Sequence, residues 1–330
     1  MRTAGLVLLC AVIAATLAAP WLAPNDPNSR FADLTYAPPT RVHLSGETSV
    51  LYIYAPRLIN RLERRFEEDR ARQVPLRFLR DGRLLAGDPR AGAPLLLLGA
   101  DGYGRDIFSR LLFGGRATLA VALIATLGAA WLGTVIGGIS GSAGRWLDAA
   151  LSRLSEFVLV LPTIYVALAL RAVMPLVLTS TQVFLLLVGI FTLLGWPIVA
   201  RGVRAIVLAE REREYVMAAR AAGAAPGRVL IHHLLPAARG YVLTQASLLL
   251  PAFILAEATM SFVGLGFPQD VATWGTMLQD AVTVAILGDA PWTLAPAIAI
   301  FLVVLSVNIA VRQPSCLSVA RRDRRRESRR

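Results

Sequence analysis

The sequence predicts an all-α integral membrane protein with six transmembrane helices and a large extracytoplasmic segment after the first. Three observations predict it. Of 330 residues, 55% are apolar and only 17% are charged, whereas a soluble domain carries about 25% charged residues. The apolar residues gather into six runs, each near the roughly 20 residues that cross a bilayer. The arginines are spread unevenly over the connections between those runs.

The first run, residues 4–23, follows Arg2 and ends near the small residues Ala18 and Ala19. A cleaved leader shares that layout, but the run is long for a leader core and five more follow, so an uncleaved helix is expected. The second run, within 111–139, has no charge after Arg116. Its Gly133, Gly137 and Gly141 recur every four residues, a spacing that lets helices pack closely. The third, 151–170, carries Arg153 and Glu156 near its start. The fourth covers 181–200, the fifth 241–263 with Glu257 inside it, and the sixth 290–311 without a charge. Only closed helices or barrels satisfy their backbone in lipid, and barrel strands alternate in short segments, so these continuous runs are helices. Pro162, Pro197 and Pro251 fall inside runs, where proline kinks a helix.

Arginine placement orients the chain. Residues 201–239 hold seven arginines against three glutamates, and residues 312–330 hold eight arginines against two acids. Residues 264–289 hold Asp270, Asp280 and Asp289 and no arginine. Both termini and the 201–239 connection are therefore expected in the cytoplasm. Residues 24–110, with 14 arginines against 11 acids, are expected outside, since long loops escape the rule. The expected organisation is a first transmembrane helix over 1–24 and an extracytoplasmic segment over 25–110. A core of five helices follows over 111–311, with a cytoplasmic connection at about 201–239, and then a basic cytoplasmic tail over 312–330. Within the external segment, the apolar residues Leu58, Ile59, Leu62 and Phe66 have helical spacing. The Asp81-Gly82 pair between short apolar runs signals a hairpin. The segment suits either a platform for an external partner or a solvated spacer.

Composition also excludes functions. The formal net charge is +12, and all 34 basic residues are arginine. Without lysine there is no phosphate-binding P-loop and no Schiff base to pyridoxal phosphate or retinal. Two cysteines, Cys10 and Cys316, and three histidines are too few for a disulfide scaffold or a Cys/His metal cage. The adjacent pair His232-His233 points in two directions on a helix. No cofactor, metal site or catalytic residue is expected.

Three stretches carry most information. The first runs from Glu210 to Pro226. It begins with acids, continues through helix-favouring alanines, stops at Gly223 and is followed by Pro226. A short helix of about three turns is expected there, and its small residues admit close approach by another surface. Ala218-Ala219, Gly223 and Leu235-Pro236, at their spacing, resemble the coupling-loop signature of the inner-membrane permeases of ABC importers. Met217 stands where the signature has glutamate, and His233 where it has isoleucine. The second stretch, residues 98–110 with Asp101, Gly104, Arg105, Asp106, Ser109 and Arg110, resembles an element before the second span in the dipeptide, oligopeptide and nickel branch. Ala100 replaces its usual threonine. The third, residues 256–267 followed by Trp274-Gly275, is similar to the end of the fifth span and the following external loop in that branch.

The resemblance covers about residues 90–310 and implies a permease for peptides or a related small solute such as a nickel chelate, in a bacterial inner membrane. It implies a sibling permease, a separate cytoplasmic ATPase and an external substrate-binding protein as partners, with lipid around them and no nucleic acid. Glu214, Ala218, Ala219, Gly223, Leu235 and Pro236 fall to the ATPase-coupling role, and Asp101, Gly104, Arg105, Asp106, Trp274 and Gly275 to an external or gating motif. Glu257, an intramembrane acid that costs on the order of 2.5–3.5 kcal/mol to insert, must face protein or water; a packing role is expected over a gating one. The competing class is an ion-coupled secondary transporter, which needs broken helices and ionisable groups at mid-membrane; Glu257 alone fits. One departure stands out. The family's sixth span usually ends in Gly-Asp with an Arg-Asp…Asp-Pro tail, whereas this chain reads Val311-Arg312-Gln313-Pro314 and then turns arginine-rich. A reading-frame change near residue 311 would account for it, and lineage divergence is the alternative.

Overall fold

The computed structural model describes residues 2–44, 51–60, 64–80, 82–88, 93–162, 165–166, 168–169, 178–281 and 288–311. The chain opens with α1 (Arg2–Leu17) and one helical turn, α2 (Ala19–Leu22). Five strands follow: β1 (Val42–Leu44), β2 (Leu51–Asn60), β3 (Arg65–Pro75), β4 (Arg77–Arg80) and β5 (Arg83–Ala86). The remainder is helical: α3 (Ile107–Ser142), α4 (Arg145–Val160), α5 (Ser180–Glu210), α6 (Glu214–Ala221), α7 (Pro226–Phe262), α8 (Trp274–Leu278) and α9 (Pro291–Val311).

Four of these, α3, α5, α7 and α9, are long and apolar enough to cross a membrane. The 36 residues of α3 reach about 54 Å at 1.5 Å each, well beyond a hydrocarbon core of about 30 Å. Two expected spans are shorter helices. α1 has 16 residues; Pro20 follows and starts the separate turn α2. α1 lies antiparallel on α9, since a Cβ on Gly5 would sit 2.8 Å from both the Ala310 nitrogen and the Ser306 carbonyl oxygen. The N-terminal end of α1 and the C-terminal end of α9 therefore share one face of the bundle. α4 also has 16 residues; its Leu161 cap is extended and Pro162 follows. Part of the expected third span (163–164, 167 and 170) and the basic tail 312–330 lie outside the described residues.

The all-α expectation fails over residues 42–86. β1, β2 and β3 form an antiparallel sheet in that order, and β4 pairs with β5. The helix expected from Leu58, Ile59 and Phe66 is instead strand, with Leu58 paired to Phe66 across β2 and β3; Leu62 lies outside the described residues. The cause is the alternation upstream. Ile53 and Ala55 point into a small core with Leu76, Ala93 and Leu95, while Tyr52 and Tyr54 face the other way beside His43. Aromatic and β-branched residues at period two favour strand. The hairpin expected around Gly82 is present, with Arg77 opposite Ala86 and Phe78 opposite Leu85; Asp81 lies outside the described residues.

The main core lies between α3, α5 and α7. It includes Val121, Ala125 and Ala129 of α3, Phe191, Val199 and Val203 of α5, and Phe253 and Ile254 of α7. The Phe191 and Phe253 rings stack at 5.3 Å between centroids. The glycine repeat of α3 sets the α3–α5 separation: a Cβ on Gly133 would lie 2.6 Å from the Trp196 carbonyl oxygen, and one on Gly141 2.8 Å from Val207. Pro197 and Pro251 lie inside the continuous helices α5 and α7. The connection expected over about 201–239 is mostly helix, because α5 continues to Glu210 and α7 begins at Pro226.

Candidate functional site

Two sites occupy opposite ends of the bundle. At one end α6 joins α5 to α7. It has eight residues, about two turns rather than three. Glu214 sits in its first turn and Arg220 in its last, the arrangement that complements the helix dipole. Gly223 follows the C-cap with φ +82°; its N–H donates to the Arg220 carbonyl at 3.0 Å, and that of Ala224 to the Ala219 carbonyl at 3.1 Å. A left-handed glycine just past the helix closes its last carbonyls. Pro226 then opens α7 at a first-turn position where its missing N–H costs nothing.

α6 is held from inside and free outside. Val216 is buried in the main core. The Tyr215 hydroxyl donates to the Glu210 carboxylate at 2.6 Å, which raises the phenol's pKa, and its ring lies 6.3 Å from that of His233. Glu214, Met217, Ala218, Arg220 and Gly223 are exposed and Ala219 is half-buried. A Cβ on Gly223 would meet nothing within 4 Å. Leu235 and Pro236 do not belong to that exposed face. They follow a π-helical turn, Leu230–Leu234, in which the Leu235 N–H reaches back to the Leu230 carbonyl. Pro236 has no N–H to donate, and such π-turns recur at functional sites. Leu235 packs under α3, where a Cβ on Gly138 would be 2.8 Å from its Cδ2.

At the other end, residues 98–110 and 264–281 form a polar clasp. Arg105 is 3% exposed. Its Nε donates to Asp101 Oδ2 at 2.7 Å and its Nη1 to the Gln269 carbonyl at 2.9 Å, while Nη2 lies 3.7 Å from Asp280 Oδ2. Its guanidinium also stacks over the Tyr103 ring at 4.5 Å, and the Tyr103 hydroxyl donates to Gln269 Oε1 at 2.6 Å. Arg110 is fully buried and donates to the carbonyls of Pro27 and Gln269. Burial, and then the neighbouring Asp101, push the Asp280 carboxyl up to about 6 against the pull of Arg105 and Arg110. Gly104 has φ +70°, and a Cβ there would collide with the Phe31 carbonyl. Asp106 stands apart from the clasp. It caps α3 by accepting from the Phe108 N–H at 3.1 Å, and it accepts from Asn25 Nδ2 at 3.0 Å; burial raises its pKa and these hydrogen bonds oppose the shift.

Trp274 and Gly275 wedge α8 between α3 and α7. The indole N–H donates to the Leu111 carbonyl at 3.0 Å and the Trp274 backbone N–H to Thr118 Oγ1 at 3.3 Å. A Cβ on Gly275 would lie 2.5 Å from the Ala258 carbonyl oxygen. Glu257 is fully buried at the same junction. It accepts from Ser261 Oγ at 2.7 Å, with Thr118 and Thr273 beside the carboxyl; among the described residues Oε2 has no hydrogen-bond partner. Sequence reasoning missed Asn25, Gln269, Asp280 and Tyr215. The absence of arginine over 264–289 was the one available signal, since it left Asp280 without a cation nearby in sequence. Among the described residues no group of three or more His, Cys, Asp or Glu side chains forms a metal cluster.

Long apolar helices packed through glycine, with a short exposed helix between two of them, are the architecture of a multi-pass membrane protein. Residues 133–313 match the family described as binding-protein-dependent transport system inner membrane component. The chain belongs to that family, the inner-membrane permeases of ABC importers, and to its peptide branch. It is 40% identical over 211 residues to a putative peptide permease protein of Brucella ovis, covering 64% of this chain and 68% of the relative. It is 38% identical over 212 residues to a dipeptide transport system permease of Alkalihalophilus pseudofirmus, covering 64% and 67%. It is 34% identical over 196 residues to an oligopeptide transport system permease of Bacillus subtilis, covering 59% and 62%.

Proposed function

We propose that this chain is one permease subunit of an ATP-driven importer, forming part of the transmembrane path for peptides or a related small solute such as a nickel chelate. The observation that carries the reading is α6, an exposed helix of small residues braced on the ends of two long helices by Val216, Tyr215 and the π-turn. A separate ATPase receives α6 in the cytoplasm, and Glu214, Ala218, Ala219 and Gly223 form the contact. Leu235 and Pro236 sit where the movement enters α7. A ligand shifts a conformational equilibrium only through differential affinity for its two states. Here the ATPase supplies that difference, and α6 passes it to α5 and α7.

In this reading six spans cross the inner membrane, α1 and α4 completing the set beside the sibling permease, with both termini inside. The antiparallel packing of α1 on α9 supports placing both ends on one side. Residues 25–110 lie outside. The Asp101–Arg105–Asp280 clasp, with Gly104, Asp106, Trp274 and Gly275 around it, closes the outer mouth and meets the substrate-loaded binding protein. Glu257 positions α8 against α3 and α7. The test is uptake of labelled peptide by proteoliposomes holding this chain, its sibling, the ATPase and the binding protein. ATP-dependent uptake is expected, and ATP-independent uptake by this chain alone would overturn the reading.

A further inference from the structure

A cavity of about 380 Å³ opens between α3, α4 and α5 at the α6 end of the bundle. It has room for on the order of ten waters, at about 30 Å³ each. Its roof is apolar, made by Ile136, Leu151 and Ala200. Its floor carries Arg204 and Ser140, both bonded to Asp148 behind it: Arg204 Nη2 donates to Asp148 Oδ2 at 2.6 Å, and Ser140 Oγ to Asp148 Oδ1 at 2.6 Å. The wall between carries Ser152, Ser155, Glu156 and Arg201.

The charges of this wall are not matched within it. Arg204 is committed to Asp148. Arg201 makes no ion pair among the described residues. Among the described residues Glu156 pairs with Arg153 alone, at 3.0 Å across an exposed edge, where water screens the pair and weakens it. Among the described residues Ser152 Oγ is buried with no hydrogen-bond partner, and a buried hydroxyl left unpaired is unfavourable unless something fills the space beside it. The cavity thus offers a cation on α5, a carboxylate on α4 and hydroxyls between them, under an apolar roof.

We infer that this cavity binds a small zwitterion, its anionic end toward Arg201, its ammonium toward Glu156, and its middle against Ser140, Ser152 and Ser155. Two sources share that chemistry. One is a free peptide that has reached the cytoplasmic half of the permease, which rests on the proposed function. The other is the headgroup of an ethanolamine phospholipid.

The test uses the assembled complex in nanodiscs, with Cys10→Ser and Cys316→Ser as background and Ser152→Cys as reporter. The rate at which a small maleimide modifies the reporter is measured with trialanine, with acetyl-trialanine amide, and with neither, in discs of phosphatidylglycerol alone. It is measured again without peptide in discs containing phosphatidylethanolamine. Slowing by trialanine but not by the blocked peptide is expected if peptide is the occupant; slowing by the ethanolamine lipid identifies the headgroup. Arg201→Gln and Glu156→Gln should each weaken that protection by roughly tenfold, as loss of one charged hydrogen bond does. An unchanged rate in every arm, equal slowing by the blocked peptide, or full protection in both charge variants would overturn the inference. If Ser152→Cys does not assemble, Ser155→Cys carries the same readout. ATP-driven trialanine uptake by the same complex separates the two readings. Uptake without protection sinks the cavity site alone, and absent uptake in the unsubstituted complex sinks the peptide reading while the lipid arm still tests the cavity.

Discussion

At the end of the bundle near the β-strands, Arg105 is 3% exposed and bound to Asp101 and Gln269, with Asp280 beside it. At the other end, α6 keeps Val216 inside and leaves Tyr215 and Met217 about half exposed. The clasp is closed largely within the chain: Arg105 and Arg110 donate to Asp101 and to the Gln269 and Pro27 carbonyls. α6 is stiffened from beneath, and its outer surface is covered by none of the described residues. A substitution in the clasp should therefore act on stability, whereas one on α6 should act on what another chain does to this one.

Arg105→Ala should have the largest effect on stability. It removes the closer of the two cations beside Asp101 and Asp280 and leaves them only Arg110, and breaking a buried pair this way costs about 3–5 kcal/mol. Thermal unfolding of the detergent-solubilised complex reads it. If the midpoint is unmoved, the clasp is not the stable end. Gly137→Leu comes next. A Cβ there already meets the Ala200 backbone, and overpacking of this kind costs about 1–3 kcal/mol. Glu257 gives a finer comparison. Glu257→Gln keeps an acceptor for Ser261, whereas Glu257→Ala leaves Ser261, Thr118 and Thr273 beside a void, at about 1–3 kcal/mol. Equal stability of the two variants would mean that the carboxyl does not hold α8.

The clasp should also respond to pH. The native Asp280 carboxyl is held at about 6, above its ordinary 3.8, so the native state binds that proton more tightly than the unfolded chain does. The stability this proton contributes is complete below 3.8 and is lost as pH rises to about 6. Over that window the unfolding midpoint of the native protein should fall relative to that of Asp280→Asn. Parallel curves would contradict the burial of Asp280. The smallest effect on stability belongs to α6: Met217→Ala should change it by no more than about 0.5 kcal/mol, as for other surface sites.

The same contrast explains what was legible in the sequence. α6 was readable because its signals are local: Glu214 at the start, alanines through the middle, Gly223 and Pro226 at the stop. Membrane helices were readable from long apolar runs, although α5 and α7 extend past their arginines, since a helix continues into water when its backbone bonds continue. The clasp was only half readable. Asp101 and Arg105 are four residues apart, but their partners Gln269 and Asp280 lie far along the chain, and no local pattern brings them together. Residues 42–86 were misread because Leu58, Ile59, Leu62 and Phe66 mimic helical spacing, while the Tyr-Ile-Tyr-Ala alternation before them sets a strand. The cavity beside Arg201 was unreadable for the same reason as the clasp: its walls come from three helices.

The most direct measurement is made on Gly223→Glu, which places a charge at the exposed end of α6 where a Cβ would meet none of the described residues within 4 Å. ATP hydrolysis and peptide uptake are followed together in proteoliposomes containing the full importer. Continued hydrolysis with uptake lost is the expected result, because the permease would then assemble without receiving the ATPase's movement. Unchanged uptake per ATP would contradict the assignment of α6 as the coupling element.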